Sequence, residues 1–177
     1  MTRNQIRMTA VHRQVFMVGS SPIATATSVF APRSAAPAAP AASGLNPSRL
    51  VEIVGTPGEQ TGAVYKFTLG RSDLKVVEMG ATINARMGLN TWAAFTGTNE
   101  KAAIAGDVAM LESEVTPVLK ALRQSGLDVV AIHHHMTNDR PLIIFLHYWG
   151  TGPAEELATG FKAAVNELGK HGGGSDR

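Results

Sequence analysis

The sequence predicts an α+β fold, a two-layer sandwich in which two long helices cover one face of a mostly antiparallel sheet. Short segments of alternating apolar and polar residues are separated by turn residues, which is typical of strands joined by hairpins. Two further segments carry apolar residues at helical spacing. The order of strands, helix, two strands and helix favours a sheet with both helices on the same face.

The folded part is expected to begin with a short helix, because Leu50, Ile53 and Val54 lie at helical spacing within residues 46–54. A glycine-containing loop over residues 55–62 follows, and it lacks the Gly-Lys-Ser/Thr ending of a phosphate-binding loop. Alternating patterns then predict four strands before the first long helix, over residues 63–69, 74–78, 90–96 and 101–111.

The first long helix is predicted over residues 114–124, with Ser113 as its N-cap and Gly126 after its end. Two strands within residues 129–150 come next, and a last helix begins at Pro153. The final succession of strand, helix, strand, strand and helix resembles a ferredoxin-like split unit.

One domain is expected over residues 49–170, flanked by segments of different composition. Residues 1–48 combine arginines, a moderately apolar stretch and an Ala/Pro-rich tract over residues 34–43. This pattern has the features of an export signal followed by a linker; a disordered tail, or sequence upstream of the true start codon, are the alternatives. Residues 171–177 are rich in glycine and are expected to form a disordered tail.

Charge is spread unevenly along the chain. Residues 1–51 hold five arginines and no acidic residue, whereas residues 52–177 hold 11 Lys/Arg and 14 Asp/Glu, a net charge of −3. A mildly acidic folded part argues against a nucleic-acid partner, which would need a basic face. The lack of cysteine excludes disulfides, thiolate metal ligands and Cys nucleophiles.

No run of about 18 apolar residues is present, so no transmembrane helix is expected. If residues 1–48 act as an export signal, the protein is periplasmic or secreted; otherwise it is cytoplasmic. The composition leaves the oligomeric state open.

The clearest chemical signal lies in residues 129–150, which contain His133, His134, His135 and His147, four of the six histidines in the chain. Side chains of a strand alternate between its faces, so His133 and His135 share a face and His134 points away. Imidazoles from two adjacent strands are suitable ligands for zinc, nickel or copper. We therefore predict a metal site formed by His133, His135 and His147, with His134 structural or exposed.

The turn between the two strands decides whether this site can form. If Met136 pairs with Pro141 across a four-residue turn, His133 and His147 fall on opposite faces of the hairpin. A three- or five-residue turn, or a bulge, would bring them to the same face. The alternative is that the histidines are hydrogen-bonded polar residues on the sheet surface.

Four other side chains are candidates for a site. Asp107 lies inside an apolar strand, where its charge is exposed, bulged beside Gly106, or functional as a metal ligand or general base. Glu114 suits the start of a helix and is a second candidate base. Asn90 shares a strand face with Trp92, which is expected in the core, and is a candidate ligand-lining residue. Trp149 is a candidate to stack on an organic ligand.

Six short motifs follow one another along the folded part: GAVYKFT at 62–68, GLNTWAAF at 88–95, GDVAML at 106–111, EVTPVLKAL at 114–122, AIHHHM at 131–136 and FLHYWG at 145–150. This series resembles the LppY/LpqO family of bacterial envelope proteins, a domain of unknown function, over residues 50–168. The resemblance implies an exported bacterial protein and no particular reaction.

Three of the histidines, His133, His135 and His147, match polar positions of that family. His134 departs from it, because the family has Asn between the two outer histidines. Trp149 stands where some members carry a second histidine on the later strand. The resemblance therefore implies a polar set of three histidines rather than a run of three ligands.

Three functions remain open at this point. The domain binds a metal ion or small ligand through the three histidines, or it is a metal-dependent hydrolase in which Asp107 or Glu114 is the base. The third possibility is a structural or interaction domain without a metal. Removal of His133 and His135 separates the third function from the first two.

Overall fold

The computed structural model describes residues 44–170, so the predictions for residues 1–43 and 171–177 lie outside the described residues. Its three α-helices are α1 (Pro47–Val54), α2 (Glu112–Gln124) and α3 (Ala154–Val165). Its strands are β1 (Glu59–Thr61), β2 (Val64–Gly70), β3 (Val76–Glu78), β4 (Ala81–Ile83), β5 (Asn90–Gly97), β6 (Ala102–Met110), β7 (Asp128–His133) and β8 (Ile144–Gly152).

Six of these strands form one sheet in the order β1-β2-β5-β6-β8-β7, and each neighbouring pair is antiparallel. β8 lies between β6 and β7, which α2 connects, so the C-terminal part has the order of a split β-α-β unit. The predicted α+β fold with a mostly antiparallel sheet is confirmed.

The three helices pack on one face of this sheet. Strand side chains that alternate inward meet apolar side chains of all three helices in one buried cluster, which includes Phe67, Phe95, Ile104, Leu146, Leu50, Val118, Leu122 and Phe161. Phe67 and Phe95 meet edge to face, with ring centroids 5.9 Å apart. Burial of each such large side chain contributes about 1.5–3 kcal/mol before entropy is counted.

The strand predicted over residues 74–78 does not join this sheet. β3 begins at Val76 and pairs with β4 in a separate two-stranded sheet. Val76 of β3 packs with Ala109 and Phe145, which lie on the sheet face opposite the helices, to form a second, smaller core. This small sheet therefore covers one end of the face that carries the candidate histidines.

Gly106 leaves room for the ring of Tyr148 next to the candidate residue Asp107. The ring of Tyr148 crosses over Gly106, and its hydroxyl donates a hydrogen bond to the Trp92 carbonyl at 3.2 Å. A Cβ at Gly106 would lie 2.1 Å from the Tyr148 oxygen, so a larger residue does not fit there. Burial raises the pKa of Tyr148 well above its ordinary value, so this hydroxyl remains a donor.

The helix α2 begins one residue before the predicted N-cap, so the assignment of Ser113 as N-cap is wrong. Leu111 occupies that position, and its backbone N–H donates to Glu114 Oε2 at 2.8 Å. A carboxylate three residues into a helix can satisfy an N–H at its start in this way. Ser113 instead lies within the first turn.

Within residues 44–170, no helix is both long enough and apolar enough to span a bilayer.

Candidate metal centre

A β-bulge in β7 brings His133 and His147 to the same face of the hairpin. Val129 pairs with Tyr148, but the next pair is Ala131 with His147, so Val130 is an extra residue in β7. Beyond the bulge, His133 pairs with Phe145. Phe145 and His147 are two residues apart, so both point to the same face of β8. His133, opposite Phe145, therefore lies diagonally across from His147 on that face.

The two imidazoles meet through their Nε2 atoms, which are 2.7 Å apart. At this distance one ring donates its N–H to the lone pair of the other. The ring centroids are 4.8 Å apart and the planes are inclined by 29°. Two ring nitrogens of adjacent strands thus converge on one point above the sheet.

His135 comes from the connection that follows β7, and its ring lies on Phe145 with centroids 3.6 Å apart and planes 9° apart. One nitrogen of His135 lies within 4.8 Å of nitrogens of both His133 and His147. The pKa of His135 is below its ordinary value. Burial lowers it most, the neighbouring His133 and His147 lower it further, and the negative charge of Asp107 partly offsets these effects. This ring is therefore held neutral near pH 7, as a metal ligand must be.

Asp107 lies beneath these histidines, because it pairs with His147 across β6 and β8. Its side chain is 6% exposed, and Oδ1 lies 3.7 Å from His147 Nδ1, at ion-pair distance but too far for a hydrogen bond. Among the described residues, that oxygen has no hydrogen-bond partner. Burial raises the pKa of Asp107, and the nearby histidines oppose this shift.

Comparison with known families adds a classification to this geometry. A family described as a Domain of Unknown Function (DUF1259) matches residues 48–167, about two thirds of the chain. The chain belongs to this family. No curated protein and no solved structure matches it. The matched span includes His133, His135, His147 and Asp107.

The DUF1259 domain places the three predicted ligands together and leaves His134 out of the group. His134 is exposed, and its carbonyl oxygen lies 3.3 Å from His133 Nδ1. The connection from His134 to Ile143 is held in place by antiparallel backbone hydrogen bonds between Arg140 and Val77 of β3. Instead of a turn of three, four or five residues, ten residues connect β7 to β8.

Glu114 is not brought to the histidines by the DUF1259 fold. It is fully buried, and its oxygens accept hydrogen bonds from Arg71 at 2.7 and 2.9 Å. Gly169 N–H donates to the same carboxylate at 2.7 Å. A carboxylate occupied by these donors holds α2, β2 and the chain after α3 together, which fits a structural role rather than that of a base.

Asn90 and Trp149 have separate roles in the DUF1259 domain. Asn90 donates from Nδ2 to the Ala85 carbonyl at 2.7 Å and so secures the turn before β5. Trp149 is 47% exposed and lies two residues from His147 on the same face of β8. Trp92, expected in the core, lies on this face too, and Ala93 and Phe95 fill the helix side instead.

A cleft of about 150 Å³ lies next to His135 and was not predicted from the sequence. Met87, Met136, Ile143 and Phe145 contribute to its lining. Of these, Phe145 also stacks on the His135 ring. The sequence could have indicated this residue, because a position two residues before His147 on a strand shares its face. The DUF1259 site is thus bordered by an apolar cleft beneath the loop.

Replacement of Asp107 by Asn is expected to stabilise the metal-free DUF1259 domain by about 1 kcal/mol at about pH 8, because the cost of burying a charged oxygen that accepts no hydrogen bond is removed. The raised pKa of Asp107 fixes the sign: ionised Asp107 opposes folding above its pKa, and the gain vanishes as the pH falls toward the ordinary pKa of aspartic acid. Urea unfolding at about pH 8 and again at about pH 4, near the ordinary pKa of aspartic acid, measures this difference.

The same variant is expected to bind metal about 10–100-fold more weakly, because a carboxylate beside a ligating histidine raises its basicity. Calorimetric titration with zinc measures that loss. A variant that is less stable than the parent at pH 8 would contradict the reasoning.

Proposed function

We propose that this domain binds a divalent metal ion, zinc, nickel or copper, through His133, His135 and His147. The observation that carries the proposal is the convergence of three imidazoles from β7, β8 and their connection within 4.8 Å of one another. Imidazole nitrogen is a good ligand for all three metals. A purely structural hairpin has no need to hold three histidine rings at one point.

To hold an ion, the nitrogen of His135, which lies within 4.8 Å of the other two, would have to move closer to them. Zinc–nitrogen bonds of about 2.0–2.1 Å at a tetrahedral centre separate two ligand nitrogens by roughly 3.3 Å. The Nε2 atoms of His133 and His147, now 2.7 Å apart, would have to open by a fraction of an ångström. The ring that carries its proton on Nε2 would have to carry it on Nδ1 instead for both Nε2 atoms to bind the metal.

Asp107 supports a cation in this place. Three neutral imidazoles contribute no charge, and the buried carboxylate facing His147 supplies a negative one. When a metal is bound at His147 Nε2, the Nδ1–H of that ring is a donor directed toward Asp107. Carboxylate–histidine–metal arrangements of this kind fix the ring and strengthen the metal–nitrogen bond.

A metal-dependent hydrolase is the second candidate function. Three protein ligands leave a fourth coordination position for water, which is the pattern of catalytic rather than structural zinc sites. Asp107 is the candidate base in this case, as an alternative to its role as acceptor of the His147 Nδ1–H, since a buried carboxylate with a raised pKa suits a general base. Turnover that disappears on chelation and returns with zinc would distinguish catalysis from binding alone.

The test of metal binding is elemental analysis of the untagged chain after loading with zinc, nickel or copper and removal of excess ion. We expect about one ion per chain, removed by chelator, as the set of three imidazoles implies. At a free metal concentration about 100 times Kd, the ion should stabilise the fold by about 2.7 kcal/mol. If none of the three ions is retained after loading, the proposal is wrong.

Export to the cell envelope is a further part of this proposal. The series of motifs from Gly62 to Gly150 supports assignment to the LppY/LpqO branch, which implies an exported protein. The arginines and the apolar stretch within residues 1–48 support it as well. Fractionation of cells that produce the full chain tests the location.

A further inference from the structure

The apolar cleft beside His135 adjoins the point where the three histidines converge. His135 belongs to both features, because its ring lines the cleft and one of its nitrogens lies within 4.8 Å of nitrogens of His133 and His147. Phe145 also lines the cleft, stacks on His135 with ring centroids 3.6 Å apart, and pairs with His133 across β7 and β8. A ligand held at the histidines therefore has the cleft next to it.

Apart from His135, the lining of the cleft is apolar. Val76 of β3 and Ile83 of β4 contribute aliphatic side chains. Met87 and Met136 contribute thioethers, which rotate easily and adapt to the shape of an apolar partner. Among the described residues that line the cleft there is no lysine, arginine, aspartate or glutamate. A charged group would find no partner inside it, whereas a hydrocarbon group would be favoured.

The cleft suits an unbranched chain better than a ring. Its volume of about 150 Å³ corresponds to roughly five water molecules at about 30 Å³ each, and therefore to a similar number of methylene-sized groups. Phe145 is the one aromatic residue besides His135 among the described lining residues. It is only 2% exposed and already stacks on His135, so it has no free face for a ligand ring.

A short chain can reach the cleft from the metal site. Residues two apart on a strand are separated by roughly 6.7 Å, so Phe145 lies about one such step from His147 along β8. Carbon–carbon bonds of about 1.52 Å at tetrahedral angles advance a chain by about 1.25 Å each, so five or six carbons cover roughly 5–6 Å. The length that fits the volume of the cleft thus also fits its distance from the histidines.

We propose that the histidine-bound metal takes a ligand or substrate with an oxygen donor and an unbranched alkyl chain of about four to six carbons, and that this chain lies in the cleft. This inference rests on the metal site proposed above and names the class of ligand for it. Three histidine ligands leave a coordination position for the oxygen donor. A divalent ion beside the single carboxylate of Asp107 leaves a net positive charge, so the donor is a carboxylate or a similar monoanionic group.

The test is calorimetric titration of the zinc-loaded full chain with hexanohydroxamate, and acetohydroxamate is the comparison. Both chelate zinc through the same oxygens, so the difference in their affinities measures the contribution of the added methylene groups. We expect hexanohydroxamate to bind at least about tenfold more tightly, because each buried methylene group adds to the affinity. Its binding should also have the more negative change in heat capacity, which is the signature of apolar burial.

Two variants place the alkyl chain. Met87→Gln combined with Met136→Gln puts polar amides into the walls of the cleft, and should reduce the preference for hexanohydroxamate to about twofold or less. Zinc affinity should be unchanged, because neither methionine belongs to the converging group. The matched control is Met79→Gln, the same substitution at a methionine that is 92% exposed and does not line the cleft. That variant should retain the preference, and circular dichroism shows that each variant is folded.

The outcomes separate the two proposals. If zinc does not bind, the metal site is wrong and the ligand inference with it. Zinc binding with equal affinity for the two hydroxamates overturns the ligand inference alone. The same holds if the preference survives in the variant of Met87 and Met136, because the chain would then lie elsewhere. Tighter binding of benzohydroxamate than of hexanohydroxamate would overturn the alkyl chain in favour of a ring.

Discussion

Replacement of His147 by Ala is expected to lower zinc affinity by at least about 100-fold. Zinc binding to protein sites at neutral pH is worth about 10 kcal/mol or more, and loss of one of three ligands removes roughly a third of that. In the proposed site His147 has the central position, since its Nε2 meets that of His133 and its Nδ1 faces Asp107. Zinc titration against a competing chelator of known affinity measures the loss.

The chain offers a matched control for this variant in the same run of histidines. His134 is exposed and does not belong to the converging group, so His134→Ala should leave zinc affinity within about twofold of the parent, as expected for an exposed side chain outside the site. His133→Ala with His135→Ala should abolish loading in elemental analysis. Equal losses in the His134 and His147 variants would mean that zinc binds to the histidine run without a formed site.

The second large effect concerns stability. Arg71→Met is expected to lower the free energy of unfolding by about 3–5 kcal/mol, because it leaves the buried carboxylate of Glu114 without its cation. Arg71 is 5% exposed and also donates to the Ala109 carbonyl at 2.7 Å and to Asp73 at 2.9 and 2.8 Å. Although burial lowers it, the pKa of Arg71 is raised overall by its bonds to Asp73 and Glu114.

Urea unfolding of the metal-free protein measures this loss, and Arg49→Met is the control. Arg49 forms ion pairs with Glu52 and Glu155 at the surface, where solvent screens the charges, so its replacement should have little effect on stability. Glu114→Gln provides the functional check, since a folded variant that still loads one zinc per chain would show that Glu114 is not a ligand. Similar losses for Arg71→Met and Arg49→Met would contradict the buried network.

The helices α2 and α3 and the strand β2 were predictable, because the spacing of their apolar residues fits only one type of secondary structure. The stripe of Val118 and Leu122 could only be the buried face of a helix, and both residues are in the main core. The same holds for Leu157 and Phe161 in α3. The alternation in residues 63–69 gave β2 within one residue at each end. The class α+β followed from the order of these elements.

The position of β3 could not be predicted, because alternation identifies a strand without saying which sheet it joins. Trp92 shows the same limit for the two faces of β5, where small and aromatic residues occur on both sides. The larger side chain suggested the core, yet Ala93 and Phe95 fill it. The two faces of β5 are similarly apolar in sequence, so tertiary packing decided which of them is buried against the helices.

The candidate site depended on pairing that local sequence does not encode. Glycine often marks a bulge, but the bulge of β7 falls in Val129, Val130 and Ala131, where no residue signals it. Likewise, the pairing of Asp107 with His147 joins residues 40 positions apart, and nothing near Asp107 indicates its partner. The histidines were predictable as a group by their alternation, and their convergence was not.

The extra residue in β7 has a consequence for how such proteins diverge. Deletion of Val130 would retain every histidine and every motif, yet it would turn His133 to the opposite side from His147. Insertion of a residue elsewhere in β7 could restore the arrangement. Chains with the same three histidines can therefore differ in whether the histidines converge. The number of residues between Val129, the last paired residue before the bulge, and His133 matters as much for the site as the histidines themselves.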